Sequence, residues 1–106
     1  MTIQFNTDKN LTVHNEFRDK LSTHLAEKLS RFSDHITKLE VHLSDDNGGK
    51  SGQKDKKCLL EARVEGRPPI AVTAHANNYE QAVDGAIDKI KSSLNSVLGK
   101  IKNHTM

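Results

Sequence analysis

Tryptophan is absent from these 106 residues, tyrosine occurs once and phenylalanine three times. Any core must therefore be small and aliphatic. Cysteine also occurs once, as Cys58, which excludes an intramolecular disulfide and fits a reducing compartment. Proline occurs only as the pair Pro68-Pro69, so the strongest strand-breaking signal is confined to one place. No segment approaches the ~18 consecutive apolar residues of a membrane span, and the N-terminus carries no apolar run of signal-peptide length. The expectation is a cytoplasmic protein with no membrane contact.

What is present points to one folded domain over residues 1–106. Charged residues make up 28% with both signs mixed, which argues against a fully disordered chain. The net charge is only +2, but it is unevenly spread. Residues 1–53 hold seven Lys and Arg against eight Asp and Glu, and residues 54–106 hold nine against six. The halves therefore carry −1 and +3. A cationic patch on a near-neutral body suits a polyanion met through one surface.

Apolar periodicity places the elements. "TIQFN" alternates as a short strand with Ile3 and Phe5 on one side. From Asn15 to Phe32, Phe17, Leu21, Leu25, Leu29 and Phe32 recur at helical spacing, with Thr12 or Asn15 as cap. "ITKLEVHLS" alternates with Leu39, Val41 and Leu43 inward. Residues 45–57 contain three glycines and no large apolar group, which predicts a mobile loop. "CLLEARVEG" turns Cys58, Leu60, Ala62 and Val64 to one face, "RPP" ends that strand, and "IAVTAHA" starts another. Asn77 is a candidate cap for the last helix, with Glu80 completing a capping box. Val83, Ala86, Ile87, Ile90, Leu94, Val97, Leu98 and Ile101 form its apolar stripe. The order β-α-β-β-β-α predicts a two-layer α+β domain: a four-stranded sheet with both helices on one face and a right-handed first crossover.

The closing helix carries the main functional signal. Lys89 and Lys100 flank the stripe on one side, Lys91 and Lys102 on the other. Ser92, Asn95, Ser96 and Gly99 lie between them, small enough for a nucleic-acid backbone to approach. On pattern alone, a solvated face with lysines near a helix C-terminus is the plainer account. The first helix offers a second row, Lys20, His24, Lys28 and Arg31, with Glu16 and Glu27 placed to pair Lys20 and Arg31 within the helix. If the helices lie side by side, the two rows join.

Catalytic and metal chemistry find no foothold. The six histidines show no ligand spacing, and "GGKS" lacks the first glycine of a phosphate loop and leads into a strand. Cys58 sits at an inward strand position, which suits packing. Nothing resembles a nucleophile with its base, so no enzyme and no cofactor are expected.

Three segments, "LSRFSDHITKLEVHLSDDNGGKS", "KKCLLEARVEGRPPIAVTAHA" and "QAVDGAIDKIKSSL", resemble the short ribosome hibernation factors. These form the family of hibernation promoting factor and ribosome-associated inhibitor A. The resemblance runs from Ile3 to about Lys102. It implies a fold arranged like a double-stranded RNA-binding domain. It also implies binding to the small ribosomal subunit in the mRNA and tRNA channel, keeping ribosomes idle under stress or in stationary phase. Carried over by position, it makes Lys89, Lys91, Lys100 and Lys102 the rRNA contacts, with Lys20, Lys28 and Arg31 as secondary ones. Ser92, Ser93 and Ser96 stand where relatives often carry Arg, Gln or Lys, which implies weaker binding. The C-terminal dimerisation domain of long members is not expected, so the free protein should be a monomer without a small-molecule substrate. A free double-stranded RNA-binding module and a protein-interaction adaptor using Glu61, Arg63, Glu65 and His75 are the alternative readings.

Overall fold

The computed structural model describes residues 1–7, 15–45 and 55–104, with side chains through Leu98. The elements are β1 (Thr2–Thr7), α1 (Asn15–Lys28), β2 (Ile36–Asp45), β3 (Lys56–Val64), β4 (Ile70–Ala76) and α2 (Tyr79–His104), with a 3₁₀ turn at Ser30–Phe32. The expected order β-α-β-β-β-α is the observed one. Strands lie in the order β1-β2-β3-β4, with β1 parallel to β2 and the other two pairings antiparallel. The last three strands are the expected meander.

Register explains the core. Ile3, Leu39, Ala62 and Ile70 form one cross-sheet row, and Phe5, Val41, Leu60 and Val72 the next. Leu43, Cys58 and Ala74 form a third. The β2 and β3 members are fully buried, whereas Ile3, Phe5, Ile70 and Val72 on the edge strands are half-buried. Strict alternation from Leu39 would turn Thr37 inward. A bulge between Ile36 and Lys38 buries Ile36 instead, and the Thr37 hydroxyl donates to the Arg63 carbonyl at 3.2 Å.

The helices close this face with Leu21 and Leu25 from α1, Leu29 just beyond it, and Ala82, Val83, Ala86, Ile87, Ile90 and Leu94 from α2. Gly85 sits where an added Cβ would come within 3.2 Å of the Ala74 Cβ, so glycine lets α2 lie close on β4. The expected first helix ends early. Its α-helical part stops at Lys28, and Phe32 donates its N–H to the Leu29 carbonyl at 2.9 Å. The three-residue step from Leu29 to Phe32 suits a 3₁₀ turn, which returns Phe32 to the core.

Two further boundaries move. The α2 cap is Asn78 rather than Asn77: the Gln81 N–H donates to Asn78 Oδ1 at 2.8 Å. Glu80 therefore falls outside a capping box and turns toward α1. The loop expected over 45–57 is shorter, because Asp45 ends β2 while Lys56 and Lys57 begin β3. Its interior, 46–54, and the candidate cap Thr12 lie outside the described residues. Lys56 pairs with its register partner Asp45 at 2.7 Å, which holds its ammonium pKa above the ordinary value. The same ammonium stands 5.8 Å from the Tyr79 ring centroid, so Tyr79 helps anchor the base of this hairpin.

Candidate nucleic-acid interface

The first helix presents Lys20 and His24 across to α2. Lys20 Nζ lies 2.9 Å from Glu80 Oε1, and His24 Nε2 lies 2.6 Å from Asp84 Oδ1. Both rungs join residues 60 apart, so the helices run parallel along this seam. The intrahelical pairs expected from Glu16 and Glu27 do not form. Lys20 goes to Glu80, and Arg31, beyond the end of α1, stacks over the Phe32 ring at 5.1 Å. The Lys20 and Glu80 side chains are 66% and 52% exposed, so this pair contributes at most about 1 kcal/mol. Its larger consequence is charge cancellation. These residues, with Leu21, Thr23 and Glu27, line a groove of about 310 Å³ between the helices.

The two flanks of α2 look in different directions. Lys91 shares the α1-facing flank with Glu80 and Asp84. Lys89 lies on the other flank, where its ammonium donates to the Thr73 carbonyl at 2.6 Å. β4 is an edge strand, and this bond satisfies a carbonyl on it. An ammonium has three donors, so Lys89 retains two. Lys28 is exposed and, like Lys91, has no ion-pair partner among the described residues. Lys100 and Lys102 lie on the last turns of α2, and their side chains are outside the described set.

The two basic rows therefore do not merge over their whole length. Beside Lys20 the positive charge is offset by Glu80. The same 60-residue offset brings Lys28, the last residue of α1, level with Asp88, and Arg31 lies beyond it in the 3₁₀ turn. The matched i, i+4 spacings of Lys20/His24 and Glu80/Asp84 carried this pairing in the sequence, but only once the two helices were known to be neighbours.

Other candidates separate. On the outer sheet face His42 is opposite Leu59 and His75 opposite Lys57, so β3 stands between the two imidazoles. Glu40 and Glu61 face each other across β2 and β3. Lys38, 3.1 Å from Glu40, and Arg63, 3.9 Å from Glu61, offset that repulsion, and the Lys38 hydrogen bond holds the Glu40 pKa below its ordinary value. Cys58 is buried, which pushes its thiol up to about 12 and leaves it unreactive at neutral pH.

Residues 6–102 match the model of the family described as sigma 54 modulation protein / S30EA ribosomal protein. The chain belongs to this family. The resemblance read from its three segments is thereby established.

Two solved structures share the family fold. The N-terminal domain of Protein Y from Thermus thermophilus is 20% identical, with a TM-score of 0.71, covering 92% of this chain and 99% of that one. A ribosomal subunit interface protein from Coxiella burnetii is 18% identical, with a TM-score of 0.73 and coverages of 93% and 99%. At such identity the likeness concerns the backbone arrangement. No curated protein matches the chain. The family match spans Lys89, Lys91, Lys100 and Lys102 as well as Lys20, Lys28 and Arg31. No helix among the described residues is long and apolar enough to cross a membrane.

Proposed function

We propose that this protein binds the small ribosomal subunit at the mRNA and tRNA channel and keeps ribosomes idle under stress or in stationary phase. It acts by occupancy, without catalysis, and is a monomer when free. Family membership carries the reading, and its physical support is the set of cations, Lys28, Arg31 and Lys91, that have no ion-pair partner among the described residues. Lys91, Lys100, Lys102, Lys28 and Arg31 contact rRNA phosphate. Lys89 joins them with its two remaining donors, and Lys20 contributes least because Glu80 already neutralises it. Phosphate contacts supply affinity without sequence information, and the shape of the channel supplies selectivity.

Sedimentation of stationary-phase extract, probed for the protein, tests this directly. Co-migration with small subunits or whole ribosomes is expected. Recovery only at the top of the gradient, at low salt, would overturn the reading. A plain RNA duplex separates the neighbouring possibility: equal affinity for duplex and small subunit would mark a general double-stranded RNA binder.

A further inference from the structure

We propose that the β3–β4 turn, residues 65–69, is a second RNA contact in which the Arg67 guanidinium grips a phosphodiester. This inference rests on the ribosome-binding reading and adds a residue to it.

The chain has four arginines. Arg18 lies over the Phe5 ring at 5.6 Å, Arg31 over Phe32 at 5.1 Å, and Arg63 stands 3.9 Å from Glu61. Arg67 is exposed and has no such partner among the described residues. Folding therefore makes no visible use of its five donors.

The turn that presents it is held by backbone hydrogen bonds. The Arg67 N–H donates to the Val64 carbonyl at 3.1 Å, and the Glu65 N–H donates to the His35 carbonyl at 3.0 Å. Gly66 takes φ 74°, which closes the turn at little cost only for glycine. Pro68 and Pro69 fix the exit. An arginine on an ordered backbone loses less entropy on binding than one on a loose loop. Its planar fork matches phosphate oxygens in a way that a lysine ammonium does not.

The location suits the same RNA target. α2 runs back along β4, with Gly85 at Ala74 and Lys89 at Thr73. A helix rises about 1.5 Å per residue and a strand about 3.3 Å, so α2 draws level with Ile70 roughly seven residues after Lys89. Its remaining turns pass the end of the sheet that carries Arg67. Arg31 belongs there too, because the His35 N–H bonds the Phe32 carbonyl at 2.9 Å while the His35 carbonyl holds the turn. Asp34 and Glu65 are exposed at this end and lower its net field. Arg67 therefore acts as a short-range fork, with little part in long-range attraction.

Small-subunit binding of Arg67→Ala should weaken roughly tenfold, as for loss of a charge-assisted hydrogen bond. Arg67→Lys keeps the charge and should fall between that variant and the parent. Arg67→Cys adds a direct readout. The only native thiol, Cys58, is buried, so an iron chelate coupled through a thiol goes to residue 67. Radical cleavage confined to a short stretch of rRNA is expected. Unchanged affinity of a folded Arg67→Ala, or no cleavage above the chelate-free control, overturns the proposal. If the parent protein itself fails to bind small subunits, the ribosomal reading falls as well. If the parent binds and only the α2 lysine variants weaken, this inference alone falls.

Discussion

Where the middle of α1 meets the start of α2, Lys20 faces Glu80 and His24 faces Asp84. Further along, Lys28, Arg31 and Lys91 have no ion-pair partner among the described residues. The same residue types thus serve two purposes along one seam. Opposite an acid, a cation is neutralised and helps to set the helix pairing. Without one, it keeps its full charge and remains available to a polyanion. A count of basic residues per helix hides this division, because the acids that decide it come from the other helix.

The largest expected effect comes from reversing the four lysines of α2. Replacing Lys89, Lys91, Lys100 and Lys102 together by glutamate should weaken small-subunit binding by two or more orders of magnitude. The slope of log affinity against log salt should flatten by about three, from ~0.7–0.9 per phosphate contact. Each change should cost no more than about 0.5 kcal/mol of stability, as for surface positions, although losing the Lys89 bond to Thr73 makes that residue the most costly. Filter binding across a salt series and thermal unfolding measure the two halves of this expectation. Wild-type affinity and slope in a folded variant would place the RNA surface elsewhere.

Next comes the helix start that positions the paired end. Asn78→Ala should destabilise the protein by about 1 kcal/mol through loss of the bond to the Gln81 N–H, and Asn77→Ala should cost less. Urea titrations of the two variants decide between the neighbouring asparagines. Equal losses would contradict the assigned cap.

Removing the acids from the paired end sharpens the contrast. Glu80→Gln with Asp84→Asn frees Lys20 and His24, so RNA affinity should rise a few-fold at low salt while stability falls by about 1 kcal/mol or less. A drop in affinity would show that helix pairing, and not free charge, governs the surface.

The smallest effect lies on the outer sheet face. Lys38 lowers the pKa of Glu40 from its ordinary 4.5. A carboxylate with a lowered folded pKa contributes stability above pH 4.5, and that contribution is lost as pH falls through the folded value. Glu40→Gln should therefore flatten the acid limb of stability against pH and leave neutral RNA binding unchanged. An unaltered acid limb in urea titrations between pH 3 and 6 would discount the Lys38–Glu40 pair.

Most of the fold was legible because burial imposes a period. Leu39-Val41-Leu43, Cys58-Leu60-Ala62-Val64 and the α2 stripe each repeat at the spacing their element requires, and each is found buried through Leu94. The misplaced details lie at ends and irregularities: the 3₁₀ turn into Phe32, the bulge beside Thr37, the cap at Asn78 and the strand ends at Asp45 and Lys56. Those depend on single hydrogen bonds or ion pairs, which leave no period to read.

For the site, the sequence by itself determined which residues stand outside the apolar stripes, including all seven candidate cations. Helical geometry fixes the angle between residues of one helix, so Lys89 and Lys91 had to lie on opposite flanks. Only the tertiary structure decided what each flank meets. It set Glu80 and Asp84 against Lys20 and His24, laid Lys89 on the edge carbonyl of Thr73, and left the Arg67 guanidinium without a partner among the described residues on a hydrogen-bonded turn. Periodicity along a chain is a local property, whereas cancellation of a charge depends on residues within a few ångströms in space. The glutamate that neutralises Lys20 lies 60 positions further along the chain.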